Sequence, residues 1–151
     1  MNGALIVAKE VQYYAAVCLT GDIGFTDVEE WQELQTRLTS GIKELDEWEG
    51  ENPDEEAERL LAILMGYCVA VRDGRRIHRA LERAEQVFPW VQDSVLKCHL
   101  AVFCYMECRD EELGEWAYRL IEEQKASGRG EEVAMVEKLL ETMEESEAAV
   151  R

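Results

Sequence analysis

Proline is nearly missing from this chain, with two residues in 151. Runs of β-branched residues are few as well. Both shortages argue against a sheet-rich fold, while abundant Glu, Ala, Leu and Arg favour helix on intrinsic propensity. The expected class is all-α. Positive charge is also scarce, with 16 Lys and Arg against 33 Asp and Glu and a formal net charge of −17. Such a surface repels nucleic acid and anionic lipid unless a concentrated basic patch overcomes it. No nucleic-acid partner is therefore expected. There are only two histidines, and neither has a serine or cysteine placed for it to activate. No Gly-rich phosphate loop, HExxH, GxSxG or pair of carboxylates in an apolar setting occurs. The expectation is a protein without catalytic residues or cofactor, and not an enzyme. The opening stretch MNGALIVAKEVQYYAAVCL has no basic n-region, and its apolar run is interrupted by Lys9, Glu10 and Gln12. That pattern suits neither a signal peptide nor a membrane span, so no membrane insertion is expected.

What is present is apolar and periodic. Hydrophobic residues make up 47% of the chain, enough for a core, and the length suits one domain spanning 1–151. The five cysteines, Cys18, Cys68, Cys98, Cys104 and Cys108, are an odd number and sit within apolar helical patterns. Reduced thiols in a cytosol fit better than a disulfide framework. Cys98, His99, Cys104 and Cys108 suggest zinc at first sight. Cys104 and Cys108 are one helical turn apart, but Cys98 lies far round the helix and no CxxC knuckle exists, so buried structural thiols are expected and no metal.

Apolar residues at three- and four-residue spacing predict a first helix through Leu5, Ala8, Val11, Ala15, Cys18 and Leu19, ending at Thr20-Gly21-Asp22. Thr26 to Glu29 reads as a capping box for a second helix whose stripe, Val28, Trp31, Leu34, Leu38, Ile42, Leu45 and Trp48, carries it to about residue 48. Between Glu44 and Glu58 there are nine acidic residues and no basic one. Within that block Asn52 suits an N-cap and Pro53 the first position of a third helix, which the pattern extends to about Arg72. Asp73-Gly74 turns the chain into a fourth helix that Pro89 ends. The pattern then restarts from Val91 to Cys108, from Glu111 to Lys125, and in a last amphipathic helix through Val133, Val136, Leu139, Leu140 and Met143.

Arg72, Arg76, Arg79 and Arg83 share one helical face, with Arg75 beside them. This stripe is either a solvated or internally paired face, with the acidic 44–58 block as the nearby partner, or a site for an acidic partner. Setting LLAILMGYCVAVRDG over LKCHLAVFCYMECRD gives an offset of 35 or 36 residues. A period of about 34 residues is that of tetratricopeptide helical hairpins. Gly66, Tyr67, Ala80 or Ala84, Pro89 and Ala101 fit parts of that signature. The implied architecture is a right-handed stack of antiparallel, tetratricopeptide-like hairpins at about 4–48, 53–88 and 91–125, with a terminal helix at about 131–147. Gly66 and Ala101 would be the small residues against which each hairpin's second helix packs. In that geometry Leu60, Ile63, Tyr67, Ala70, Val95, Cys98, Val102 and Tyr105 face a concave partner-binding groove, or else form ordinary core.

The segments YYAAVCLTGDIGFTDVEEWQELQTRL, DEEAERLLAILMGYCVAVRDG, HLAVFCYMECRDEELGEWAYRLIEE and EEVAMVEKLLETM resemble, in that order, the small tetratricopeptide-like chaperones of bacterial type III secretion needle subunits, the YscG/PscG class. The resemblance covers most of residues 13–143 and departs from that class in a longer acidic connection and a longer chain. It implies a bacterial cytoplasmic chaperone that holds the C-terminal amphipathic helix of a needle-subunit protein in its groove, together with a small helical co-chaperone, and prevents premature polymerisation. Two alternatives share the fold: a general helical-repeat adaptor and a translocator chaperone.

Overall fold

The structure, a computed structural model, describes residues 3–21 and 28–150. Among these residues there are seven α-helices and no strand: α1 (Gly3–Thr20), α2 (Val28–Asp46), α3 (Pro53–Tyr67), α4 (Gly74–Val87), α5 (Ser94–Cys108), α6 (Glu111–Ala126) and α7 (Ala134–Val150). Short 3-10 turns follow α4 at Phe88–Trp90 and precede α7 at Gly130–Val133. The all-helical class is thus observed. None of the described helices is long and apolar enough to cross a membrane.

Side chains that satisfy the unpaired backbone amides set the helix starts. Asn52 Oδ1 accepts from Glu55 N at 2.9 Å and Pro53 occupies the first turn, as the sequence suggests. Asp73, Asp93 and Asp110 cap α4, α5 and α6 in the same way. Each such cap is worth about 1 kcal/mol. The capping threonine expected at Thr26 lies outside the described residues. One boundary differs from expectation. Helix α3 stops at Tyr67, five residues before Arg72, because Cys68 N and Val69 N donate to Met65 O and Gly66 O in i→i−3 bonds that tighten and close the last turn. At the end of α5 the left-handed Arg109 (φ 58°) donates its amide to Tyr105 O at 2.8 Å, a residue type rarely found in that conformation.

The chain divides into two compact units, Met1–Val91 and Gln92–Arg151. In the first, α3 is the hub, and the continuous buried run from Leu60 to Tyr67 reflects neighbours on several sides, α1, α2 and α4. Lys9 Nζ to Glu58 Oε1 and Gln12 Nε2 to Glu58 Oε2, both 2.7 Å, pin α1 to α3. Gln35 Nε2 donates to Val69 O at 2.8 Å and ties α2 to the turn that follows α3. The role expected of Gly66 needs correction. A Cβ there would lie 2.7 Å from Ile42 Cδ1 and 3.2 Å from Val11 Cγ1, so this glycine lets α3 approach α2 and α1, not its hairpin partner α4. In the second unit α5 packs along α6, with Leu100, Val102, Phe103, Ile121, Val136 and Leu140 in its interior. The close approach in that hairpin is at Gly114, where a Cβ would meet Tyr105 Cε1 at 2.7 Å.

Candidate functional site

The eight positions singled out from the sequence divide by unit. In the first, Leu60, Ile63, Tyr67 and Ala70 are all buried. In the second, Cys98 and Val102 are buried and Val95 and Tyr105 half-buried. Tyr67 is 4% exposed, and Arg76 hydrogen-bonds to its hydroxyl. Burial pushes the Tyr67 phenol up against that favourable contact. Tyr105 lies against Gly114. In this chain most of these side chains are spent on the interior of each unit.

The arginine stripe meets the acidic block within the first unit. Asp46 Oδ2 accepts from Arg79 Nη2 at 2.7 Å and from Arg76 Nε at 3.2 Å. Deeper in, the Glu56 carboxylate, 2% exposed, accepts from Arg83 Nε at 2.7 Å, from Arg59 Nε at 2.5 Å and from Gly50 N at 3.2 Å. Arg59 also donates to Leu45 O at 3.1 Å. Burial by itself would push the Glu56 carboxyl up, but the hydrogen bonds from Arg59 and Arg83 outweigh it and hold it below the usual carboxylate range. Of the two readings open for the stripe, the internally paired one describes Arg76, Arg79 and Arg83.

The sulfur and imidazole groups assemble no reactive centre. No cysteine is paired in a disulfide. Burial pushes the thiols of Cys98 and Cys104 up to about 12, with the charges of Glu123 and of Cys108 and Glu107 adding to it. At neutral pH both are protonated and inert. His99 Nε2 lies 2.9 Å from Glu132 O, and His78 lies 2.9 Å from Glu82 on the surface. The described residues contain no group of three or more His, Cys, Asp or Glu arranged to hold a metal ion.

Sequence reasoning missed the surface formed by α1 and α2. Helix α1 carries two charged residues in 18, yet only Ala8, Val11 and Ala15 are buried. Ile6 and Tyr13 are 54% and 63% exposed. Between α1 and α2 runs an open cleft of about 340 Å³, with Val7, Val11, Tyr14 and Leu38 among its apolar walls. Gly41 sets the close approach of the two helices, since a Cβ there would fall 2.6 Å from Val11 Cγ2. At one end Arg37 donates to Tyr14 Oη at 3.2 Å and to Glu33 Oε1 at 3.0 Å, and its guanidinium sits 6.0 Å from the Tyr14 ring centre. Tyr13 meets Tyr14 edge-on at 5.6 Å. Glu10 and Glu44 also line the cleft. Neither carboxylate has a cationic partner among the described residues. The signal that could have revealed this surface is a helix with only two charged residues in 18, whose apolar side chains outnumber those that one buried face can hold and so must be covered by something or leave apolar area in water. The second unit has a shallower concavity along α7, with Arg109, Met143, Ser146, Glu147 and Val150, where Arg109 pairs with Glu147.

Residues 11–106 match the model of the UpxZ family of transcription anti-terminator antagonists, more than half of the chain. A solved crystal structure, that of the transcription anti-terminator antagonist UpxZ from Bacteroides uniformis, is similar at 26% identity and a TM-score of 0.76 over 94% of this chain and 95% of that one. No curated protein matches the chain. These findings overturn the resemblance to type III secretion needle chaperones. The needle-subunit protein and the small helical co-chaperone go with it as partners, and so do the alternatives of a general helical-repeat adaptor or translocator chaperone. The physical reason is that the resemblance rested on helix order and on apolar spacing such as that from Leu100 to Tyr105, which any short, enclosed helix produces. The chain belongs to the UpxZ family of transcription anti-terminator antagonists.

Proposed function

We propose that this protein binds a transcription anti-terminator and prevents it from acting on transcription. The observation that carries the reading is the family match over residues 11–106, which takes in α2, α3 and α4 whole. Charge favours a protein target over nucleic acid. At −17 the chain repels a polyanion, and three arginines of its basic stripe are already held by Asp46 and Glu56. The antagonist acts by occupancy rather than by catalysis, in the cytoplasm where transcription takes place. The tetratricopeptide-like character of the α3–α4 and α5–α6 hairpins belongs to the same proposal, supported by the short turns that join them.

The test is transcription in vitro through a terminator with a purified anti-terminator from the genome that carries this gene. Adding the protein should restore termination in proportion to the amount added, with an end point near equimolar. Restoration by a small substoichiometric amount would point to an enzyme instead. An anti-terminator whose activity and mobility are unaffected by an excess would sink the proposal.

A further inference from the structure

We infer that the α1–α2 cleft is where the anti-terminator docks, and that the segment it receives carries apolar side chains flanked by lysine or arginine. This rests on the function proposed above and adds the place and the chemistry of recognition. Three features select the cleft. Its apolar wall lies beside exposed apolar side chains, because Tyr13, 63% exposed, meets the cleft residue Tyr14 edge-on and Ile6, 54% exposed, stands on the same helix. Aromatic side chains such as Tyr13 and Tyr14 bury much area at low conformational cost and are enriched at protein interfaces.

The second feature is charge. Glu10 stands on the α1 wall and Glu44 on the α2 wall, both exposed and neither paired within the described residues. The cation in the cleft, Arg37, is already committed to Glu33 and Tyr14. A ligand entering here therefore meets an apolar floor between two uncompensated carboxylates, which attract a basic flank and repel an acidic one. The third feature is contrast with the basic stripe on α4, where Asp46 and Glu56 satisfy the arginines from inside the same unit. One charged surface is closed on itself, while the other is left open to a partner.

The experiment measures affinity of the full-length protein for the purified anti-terminator by calorimetry, alongside the mass of each protein in solution. Glu10→Lys/Glu44→Lys inverts the charge of both walls at exposed positions. Ser40→Trp, also at an exposed cleft position, fills the space without altering charge. Glu115→Lys/Glu145→Lys makes the same change of net charge on the second unit, again at exposed residues. Circular dichroism confirms that each variant is folded. The expected result is a fall in affinity of about tenfold or more for the two cleft variants, with the control close to the unmodified protein.

Binding by the unmodified protein that both cleft variants retain, or that the control loses equally, overturns the docking site and leaves the proposed function standing. No binding by the unmodified protein overturns both. A dimer of the protein alone that both cleft variants convert to monomer assigns the cleft to a second copy of this chain and also overturns the inference.

Discussion

Two helices of the first unit, α1 and α3, are both rich in apolar residues, and the structure uses them in opposite ways. In α3 eleven of fifteen residues are buried, including Glu56 and Arg59. In α1 only three of eighteen are buried. A helix buried on several sides is stable when other helices enclose it, as α1, α2 and α4 do for α3. Helix α1, with fewer charged residues, carries more apolar surface than the fold consumes. The surplus is the surface that includes Ile6 and Tyr13. Apolar composition therefore separates into what the fold encloses and what it leaves in water, and the burial of each side chain tells which is which. Substitutions in α3 should act on stability, and those on the open face of α1 on binding.

The largest effect is expected at Glu56. Changing it to alanine leaves Arg59, itself 8% exposed, without its buried counter-charge. Removing one member of a buried ion pair costs about 3–5 kcal/mol, and urea denaturation followed by circular dichroism would measure it. A loss below about 1 kcal/mol, the scale of an exposed pair, would show the network to be peripheral. The same residue sets a pH dependence. Its folded-state carboxyl is held below the usual range, so the stability it contributes is present above the ordinary Glu value of about 4.3 and is lost as pH falls through the lower folded value. Between neutral pH and that ordinary value it contributes no slope. Glu56→Gln should flatten the acid limb of the stability curve below that value, and an unchanged limb would assign acid sensitivity to other carboxylates.

A smaller effect is expected where α3 meets α2. Gly66→Ala forces a methyl to 2.7 Å from Ile42 Cδ1 in the unmutated geometry, and overpacking of this kind costs about 1–3 kcal/mol. Alanine's better helix preference returns about 1 kcal/mol of that. Ile42→Val removes the offending Cδ1 at a cost of about 0.5–1.5 kcal/mol. The double variant should therefore be more stable than the sum of the single changes allows. Strict additivity in that cycle would mean that Gly66 and Ile42 do not compete for the same space.

Much of this architecture can be read in the residues, and the failures have identifiable causes. Asn52-Pro53 and Asp73 announce helix starts because their side chains satisfy orphan amides locally, without help from distant contacts. The pairing of the arginine stripe with the acidic block was legible for a different reason: each is a run of one charge sign and the block leads into the hairpin that carries the stripe, although the partners lie 27 to 33 residues apart. The end of α3 was not, because Val69, Ala70 and Val71 continue the apolar pattern after the backbone has already turned. Gly66 was recognised as a point of close approach, but spacing along one helix does not say which neighbour arrives there. The cleft itself was hidden for the same reason. Periodicity distinguishes apolar from polar faces of α1, but only the placement of α2 decides which apolar side chains remain in water.

The smallest expected effect on stability is at the open face of α1. Ile6 and Tyr13 are 54% and 63% exposed, so replacing both with serine removes little buried area. The change in unfolding free energy should lie within about 0.5 kcal/mol, typical of surface substitutions. Serine has about the same helix propensity as isoleucine and tyrosine, and the Lys9 and Gln12 contacts to Glu58 continue to hold the helix on α3. Exposed apolar area falls, so solubility should rise. If that face serves recognition, affinity for the anti-terminator falls while stability does not, and a double variant of this kind separates recognition from stability more cleanly than any change in α3. A loss of stability comparable to that of Glu56→Ala would mean that α1 is consumed by the fold after all, and the contrast between the two helices would disappear.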